Sequence, residues 1–209
     1  SHDLKTPLTS IITYVDLLKR EKLDNDIAEG YVDVLVDKSQ RLKQLIEDLI
    51  EASKASSGNL PVDKTRINLK DLILQACGEF EERAEAIGLE FRISSDGNVF
   101  VEADGKHMWR IYENLLSNVI KYAMPNSRVY IDIYEDRNFG TMIMKNVSHD
   151  EIKVNVENLA ERFTRGDSSR TTEGSGLGLS IAKSLTVLQG GKFGLSVDGD
   201  MFKVKIYMP

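Results

Sequence analysis

Two apolar stripes at helical spacing open the chain, and no other feature restricts its fold as much. Leu4, Leu8, Ile11, Ile12, Val15 and Leu18 recur every three or four residues, which places them on one face of a first helix. After a polar turn around Asp24 to Asp26, the stripe resumes on a much longer second helix with Ile27, Tyr31, Val34, Leu42, Leu45, Ile46, Leu49 and Ala52. Two helices joined by a short loop form an antiparallel hairpin. A lone hairpin leaves its stripe in water, so pairing with a second copy into a four-helix bundle is expected.

The breaker cluster Ser56, Ser57, Gly58, Asn59 and Pro61 ends the second helix and reads as a linker. The sequence therefore divides into residues 1–57 and residues 60–209. In the second part the periods mix. Helical patterns run from about Asn68 to Ile87, from Gly105 to Tyr122 and onward from Gly178. Strand patterns cover Leu89 to Ser94, Asn98 to Glu102, Arg128 to Glu135 and Thr141 to Lys145. Phe193 to Val197 and Phe202 to Tyr207 flank Asp198-Gly199 as a hairpin. Strands interleaved with helices predict a two-layer α/β sandwich.

Composition removes several classes. With 41% hydrophobic residues, 209 residues suffice for one domain or two small ones. No apolar run approaches the roughly 20 residues that span a bilayer. The net charge of −6 argues against a nucleic-acid partner, which calls for a basic face. A single cysteine, Cys77, rules out an intrachain disulfide framework and suits a reducing compartment, the cytoplasm. The chain opens inside a helical pattern with no cap before it, so it is expected to be part of a longer protein.

Chemistry concentrates in three places. In Ser1-His2-Asp3-Leu4-Lys5-Thr6-Pro7-Leu8-Thr9, a carboxylate beside an imidazole can accept one ring N–H and leave the other nitrogen nucleophilic. Thr6 lies one helical turn after His2, where its hydroxyl reaches whatever the imidazole carries. Pro7 deprives the Asp3 carbonyl of its helical partner and favours a bend. In the second place, Asn114, Asn118 and Lys121 share one helix face, opposite Ile111, Leu115 and Val119. An amide oxygen from Asn118 is a typical protein share of a Mg²⁺ shell, and Lys121 meets phosphate as a point charge. The third is Gly174-Ser175-Gly176-Leu177-Gly178-Leu179 before a helix, where backbone N–H groups and the helix dipole favour phosphate. The residues before it are loop-like, which disfavours a dinucleotide fold, and the Gly-Lys-Ser/Thr of a Walker loop is absent.

In this order the three blocks resemble the H, N and G2 boxes of bacterial sensor histidine kinases, and Arg162 to Asp167 resembles their F box. The resemblance implies a dimerisation and histidine phosphotransfer hairpin followed by an ATP-binding domain of the Bergerat type. It makes His2 the phosphoacceptor, Asp3 its activating acid and Thr6 a residue tied to phosphatase activity. Asn118 becomes the Mg²⁺ ligand, Asn114 the second box asparagine, and Lys121 and Arg165 the phosphate-contacting cations. Tyr122 lines the adenine pocket, and Gly174 to Leu179 cradle the phosphates. ATP and Mg²⁺ are the implied cofactors, and a second copy and a response-regulator receiver domain the implied partners. The implied setting is the cytoplasmic portion of a membrane-anchored bacterial protein.

One stretch departs from that pattern. Where the family's G1 box reads Asp-x-Gly-x-Gly, this chain has Lys145-Asn146-Val147-Ser148-His149, with Asn146 where the Asp is expected and both glycines missing. A neutral amide oxygen accepts a hydrogen bond less strongly than a carboxylate, so adenine recognition is expected to be intact and somewhat weakened. The departure also keeps open an alternative, a catalytically weak pseudokinase or phosphatase scaffold that binds a regulator. The polar stretch between Asn146 and Gly174 reads as a lid over the nucleotide. His107 and His149 lie in no metal-ligand spacing and read as surface residues, and Cys77 reads as core.

Overall fold

The computed structural model describes residues 2–20, 25–152 and 176–209, with backbone only at residues 2, 3 and 20. They form two compact units, Ser1–Glu51 and Ala52–Pro209, each with its own contacts.

The first unit consists of helix α1, His2–Arg20, and most of α2, Asn25–Ser56. Helix α1 runs continuously through Pro7. An edge-on pair of rings, Tyr14 and Tyr31 with centroids 5.2 Å apart, joins the two helices. Within the single chain the stripe is only partly covered: Leu8, Ile12, Ile27, Val36, Ile46 and Ile50 remain exposed. Apolar side chains at helical spacing left in water are what a second helical pair would bury.

Ala52 to Ser56, the end of α2, belong to the second unit, where Ala52 and Ala55 are buried. Gly58, at φ +72°, terminates the helix in the left-handed region, and Asn59 N–H returns to the Lys54 carbonyl. Beyond it follow β1 (Thr65–Asn68), α3 (Leu69–Glu85), β2 (Glu90–Ser95), β3 (Phe100–Ala103) and α4 (Gly105–Tyr122). After these come β4 (Arg128–Asp136), β5 (Phe139–Val147), α5 (Gly178–Leu188), β6 (Lys192–Asp198) and β7 (Met201–Met208).

The sheet has five strands in the order β2-β4-β5-β7-β6, parallel between β2 and β4 and antiparallel elsewhere. One face alternates into the core through Val129, Ile131, Ile133, Met142, Met144, Val204 and Ile206. Ile73, Met108, Ile111, Leu115 and Leu185 from α3, α4 and α5 are buried in the same core. Each such side chain contributes roughly 1.5–3 kcal/mol over exposure. This is the expected two-layer sandwich.

Two strand relationships differ from the simplest reading of the sequence. Strand β1 carries no alternating signal and forms only by pairing antiparallel with β3, Thr65 opposite Ala103. Strands β2 and β3, consecutive in sequence, sit in different sheets, because β2 pairs in parallel with β4 across the α4 crossover.

Candidate nucleotide-binding site

Helix α4 is the framework of the site. Asp104 caps it: in extended conformation its Oδ1 accepts the N–H groups of Lys106 and His107 at 2.9 and 3.2 Å. Burial of Met108, Ile111, Tyr112, Leu115, Leu116 and Val119 fixes the helix's rotation. Asn114 and Asn118 are therefore half-buried at the rim, and Lys121 is exposed.

Helix α5 meets α4 at that rim. A Cβ on Gly178 would lie 3.1 Å from Asn114 Oδ1 and 3.7 Å from Asn118 Nδ2, so glycine allows the two helices to approach there. Asn114 is oriented by its own helix, its Nδ2 donating to the Arg110 carbonyl at 2.7 Å. Asn118 Nδ2 is buried without a hydrogen-bond partner among the described residues. A buried amide left in that state loses on the order of 1–3 kcal/mol, a cost tolerated where a ligand completes the group. Opposite it, α5 starts without a side-chain cap, Gly176 adopts φ +64°, and Leu177 is fully buried as an anchor. An uncapped helix start facing a half-satisfied amide pair suits a polyanion with its metal.

The far end of α4 meets the end of β5. His149 N–H donates to the Tyr122 carbonyl and Met124 N–H to the Val147 carbonyl, both at 2.8 Å, and Ala123 bridges Ser148. This backbone ladder holds the segment where glycines were expected. Asn146 is 4% exposed, and its Nδ2 donates to the Val147 carbonyl at 3.2 Å. Tyr122 is half-buried.

The second unit thus brings Asn114, Asn118, Tyr122, Asn146, Gly176, Leu177, Gly178 and Leu179 to α4 and the elements flanking it. Arg165, Gly174, Ser175 and most of the expected lid lie outside the described residues. His2, Asp3 and Thr6 belong to the first unit, in the first turns of α1, with Thr6 exposed.

Sequence reasoning missed the supports behind the site. Asp104 could have been found, since Asp before a helical pattern is a start signal. Burial opposes ionisation of its carboxyl, but N–H groups from Asp63, His107 and Lys106, with the His107 ring nearby, outweigh it and hold the carboxyl below its ordinary value. Gln189 has no local signal. Fully buried, it accepts the Asp104 N–H at 2.7 Å and donates to the Leu185 carbonyl at 3.0 Å, tying the end of α5 to the start of α4. His107, expected on the surface, instead has its ring largely buried, with Nε2 2.9 Å from the Pro61 carbonyl. Cys77 is core, and burial pushes its thiol up to about 12. Among the described residues no cluster of His, Cys, Asp and Glu could hold a metal.

Residues 1–58 match the His Kinase A (phospho-acceptor) domain, and residues 103–209 match the histidine kinase-, DNA gyrase B- and HSP90-like ATPase family. The chain belongs to the bacterial sensor histidine kinases. Over 91% of its length this histidine kinase is 32% identical to the sensor protein VanSC of Enterococcus gallinarum, covering 54% of that protein. It is 30% identical to the sensor histidine kinase WalK of Bacillus subtilis over 91% of its length, covering 32% of WalK. The chain spans about half the length of the VanS relatives it matches and about a third of WalK. In fold it is similar to the Acinetobacter baumannii histidine kinase AdeS, with TM-score 0.76, 17% identity, and coverage of 100% of this chain and 97% of that one. Histidine kinase ThkA, solved with the response regulator protein TrrA, gives TM-score 0.74 at 19% identity, with 100% of this chain and 59% of that one covered. No described helix of this kinase is long and apolar enough to cross a membrane.

Proposed function

We propose that this chain transfers the γ-phosphoryl group of ATP to its own His2 and then to an aspartate of a response-regulator receiver domain. The observation that carries the reading is the buried Nδ2 of Asn118, without a hydrogen-bond partner among the described residues, beside Gly178 at the start of α5, where no side chain caps the helix.

In this reading Asn146 and Tyr122 hold the base, and the N–H groups from Gly174 to Leu179 hold the phosphates together with Lys121 and Arg165. Asn118 supplies a ligand to Mg²⁺, with Asn114 one turn before it on the same face of α4. The metal, when bound, neutralises triphosphate charge. Asp3 accepts an N–H of the His2 ring and leaves its second nitrogen as the nucleophile. A P–N bond forms at that nitrogen, the bond to the ADP oxygen breaks, and the ring's surplus proton passes to Asp3 or solvent. Thr6, one turn along α1, positions water for the reverse, dephosphorylating activity. The apolar residues left exposed on the hairpin pair two copies, and the parent protein is membrane-anchored with this portion in the cytoplasm.

The test is incubation with γ-labelled ATP and Mg²⁺. Acid-labile label that disappears in His2→Gln is expected. Acid-stable label would indicate serine or threonine chemistry instead, and absence of label with retained nucleotide binding would favour the scaffold.

A further inference from the structure

The five-stranded sheet of the second unit ends on β6, which pairs with β7 on one side only. The pairing runs in unbroken antiparallel register, Lys192 opposite Tyr207 through Asp198 opposite Met201, so the outer side of β6 is a continuous row of backbone N–H and C=O groups. No backbone hydrogen bond among the described residues reaches that side. Folded proteins usually blunt such an edge with a proline, a bulge, a short strand or charges along it. Strand β6 is seven residues long, has no proline or bulge, and carries charge only at its two ends. The core is also left open there. Phe193, Leu195 and Val197 lie on the core face beside Ile206, Val204 and Phe202, yet all three are only half-buried, whereas Val204 and Ile206, one strand inward, are 2% and 1% exposed.

The charges identify what completes this edge. Lys192 and Asp198 stand about 20 Å apart along the extended strand, too far to pair with each other. Both are exposed, and the one contact of the Lys192 ammonium among the described residues is the Phe139 ring, 5.6 Å away. The opposite edge of the sheet differs: next to β2, Glu90 already holds Arg92 at 2.6 Å and Arg128 at 3.7 Å. A second β6 laid antiparallel and centred on Leu195 sets Lys192 against Asp198 at both ends, Phe193 against Val197, Gly194 against Ser196 and Leu195 against its own copy. Apolar side chains then meet on the core face and small residues on the outer face, and opposite charges close each end. A parallel pair in register sets Lys192 against Lys192, and an antiparallel shift by two residues separates Lys192 from Asp198.

We propose that the β6 edge is a self-association surface, on which two copies of this chain join their β6 strands antiparallel about Leu195 and continue the sheet from one copy into the other. The contact involves the second unit alone and is separate from the apolar stripe of the hairpin. Its occupant follows from the strand itself, which is complementary to its own reverse in charge, size and polarity. One pair of seven-residue strands is a small contact beside the roughly 1,000 Å² of a stable interface, so the association is weak unless the copies are already held close.

The experiment treats the unaltered whole chain with a water-soluble carbodiimide, which joins a lysine amine to a carboxylate only in direct contact, and maps the linked peptides by mass spectrometry. A Lys192–Asp198 product is expected, and with about 20 Å between the two residues of one strand it can only come from two copies. Oxidation by copper phenanthroline then tests the register. Opposed residues of an antiparallel pair have Cα atoms about 4.5–5.5 Å apart, within disulfide reach, so Leu195→Cys should give a linked dimer. Ser196→Cys is more exposed but sits diagonally from its own copy at about 7–8 Å, and should link about tenfold more slowly. Cys77 is buried and adds no link. Adding Lys192→Glu or Asp198→Lys should slow the Leu195→Cys link about three- to tenfold, and adding both reversals should restore it. Absence of the Lys192–Asp198 product, linking at Ser196→Cys as fast as at Leu195→Cys, or a rate untouched by the charge reversals overturns the inference. If Leu195→Cys does not fold, the carbodiimide product from the unaltered chain decides alone.

Discussion

The backbone N–H of Asp104 donates to Oε1 of Gln189, 85 residues later, at 2.7 Å in the interior of the second unit. Gln189 is fully buried and its Nε2 is engaged by the Leu185 carbonyl, so one side chain joins the last turn of α5 to the first turn of α4. Gln189→Leu keeps the volume and strands a buried N–H and a buried carbonyl. Unfolding by urea should show a loss of about 2 kcal/mol, and Gln189→Glu, which sets a buried carboxylate against the Leu185 carbonyl, should lose at least as much. Equal stability of all three chains would remove Gln189 from this role.

The approach of α5 to α4 should be sensitive to a single methyl group. In Gly178→Ala the new Cβ sits 3.1 Å from Asn114 Oδ1, so that amide must shift. Nucleotide affinity should fall roughly three- to tenfold, with little change in melting temperature because the neighbour is a half-exposed side chain. Calorimetric titration with ADP measures the first effect and thermal unfolding the second.

Asn118 should show the opposite pattern in stability. Its buried Nδ2 has no partner among the described residues, so Asn118→Leu removes an unsatisfied polar group and should leave stability unchanged or higher by about 1 kcal/mol, while Mg²⁺-dependent labelling from ATP disappears. A variant that loses labelling and is also strongly destabilised would mean that Asn118 serves the fold.

Acid should act through Asp104. Burial alone would raise its pKa, but the N–H groups of Asp63, His107 and Lys106 stabilise the charged form more and lower it overall. A carboxyl whose pKa is lower folded than unfolded stabilises the fold above its unfolded value, about 3.9, and that stabilisation disappears as pH falls through the lower folded value. Asp104→Asn keeps a capping oxygen but turns an N–H₂ toward the Asp63 N–H. It should cost about 1–2 kcal/mol at pH 7, and the difference from the unaltered chain should narrow below about pH 4. A difference that stays constant from pH 7 to pH 3 would exclude this linkage.

Local chemistry made much of this chain legible. The helical period placed α1 and α2, the polar cluster at Ser56 to Pro61 ended α2, and the pattern from about Gly105 to Tyr122 gave α4, because each is a preference of neighbouring residues. Asn114 and Asn118 were assigned to one helix face because 3.6 residues per turn put them there. Strand β1 was not readable: four residues with no alternation become a strand only when β3 lies beside them. Nor was Gln189, whose partners lie across the fold and leave no trace in its neighbours.

The sequence by itself therefore determined the helices, the order of the chemical blocks and which atoms each block offers. The tertiary structure alone decided that Gly178 abuts Asn114, that Asn118 Nδ2 is left without a partner among the described residues, and that the Val147 carbonyl takes the Nδ2 of Asn146. The physical reason is range. Periodicity and capping act over one or two turns, whereas the orientation of a buried amide is set by whichever carbonyl the fold brings against it.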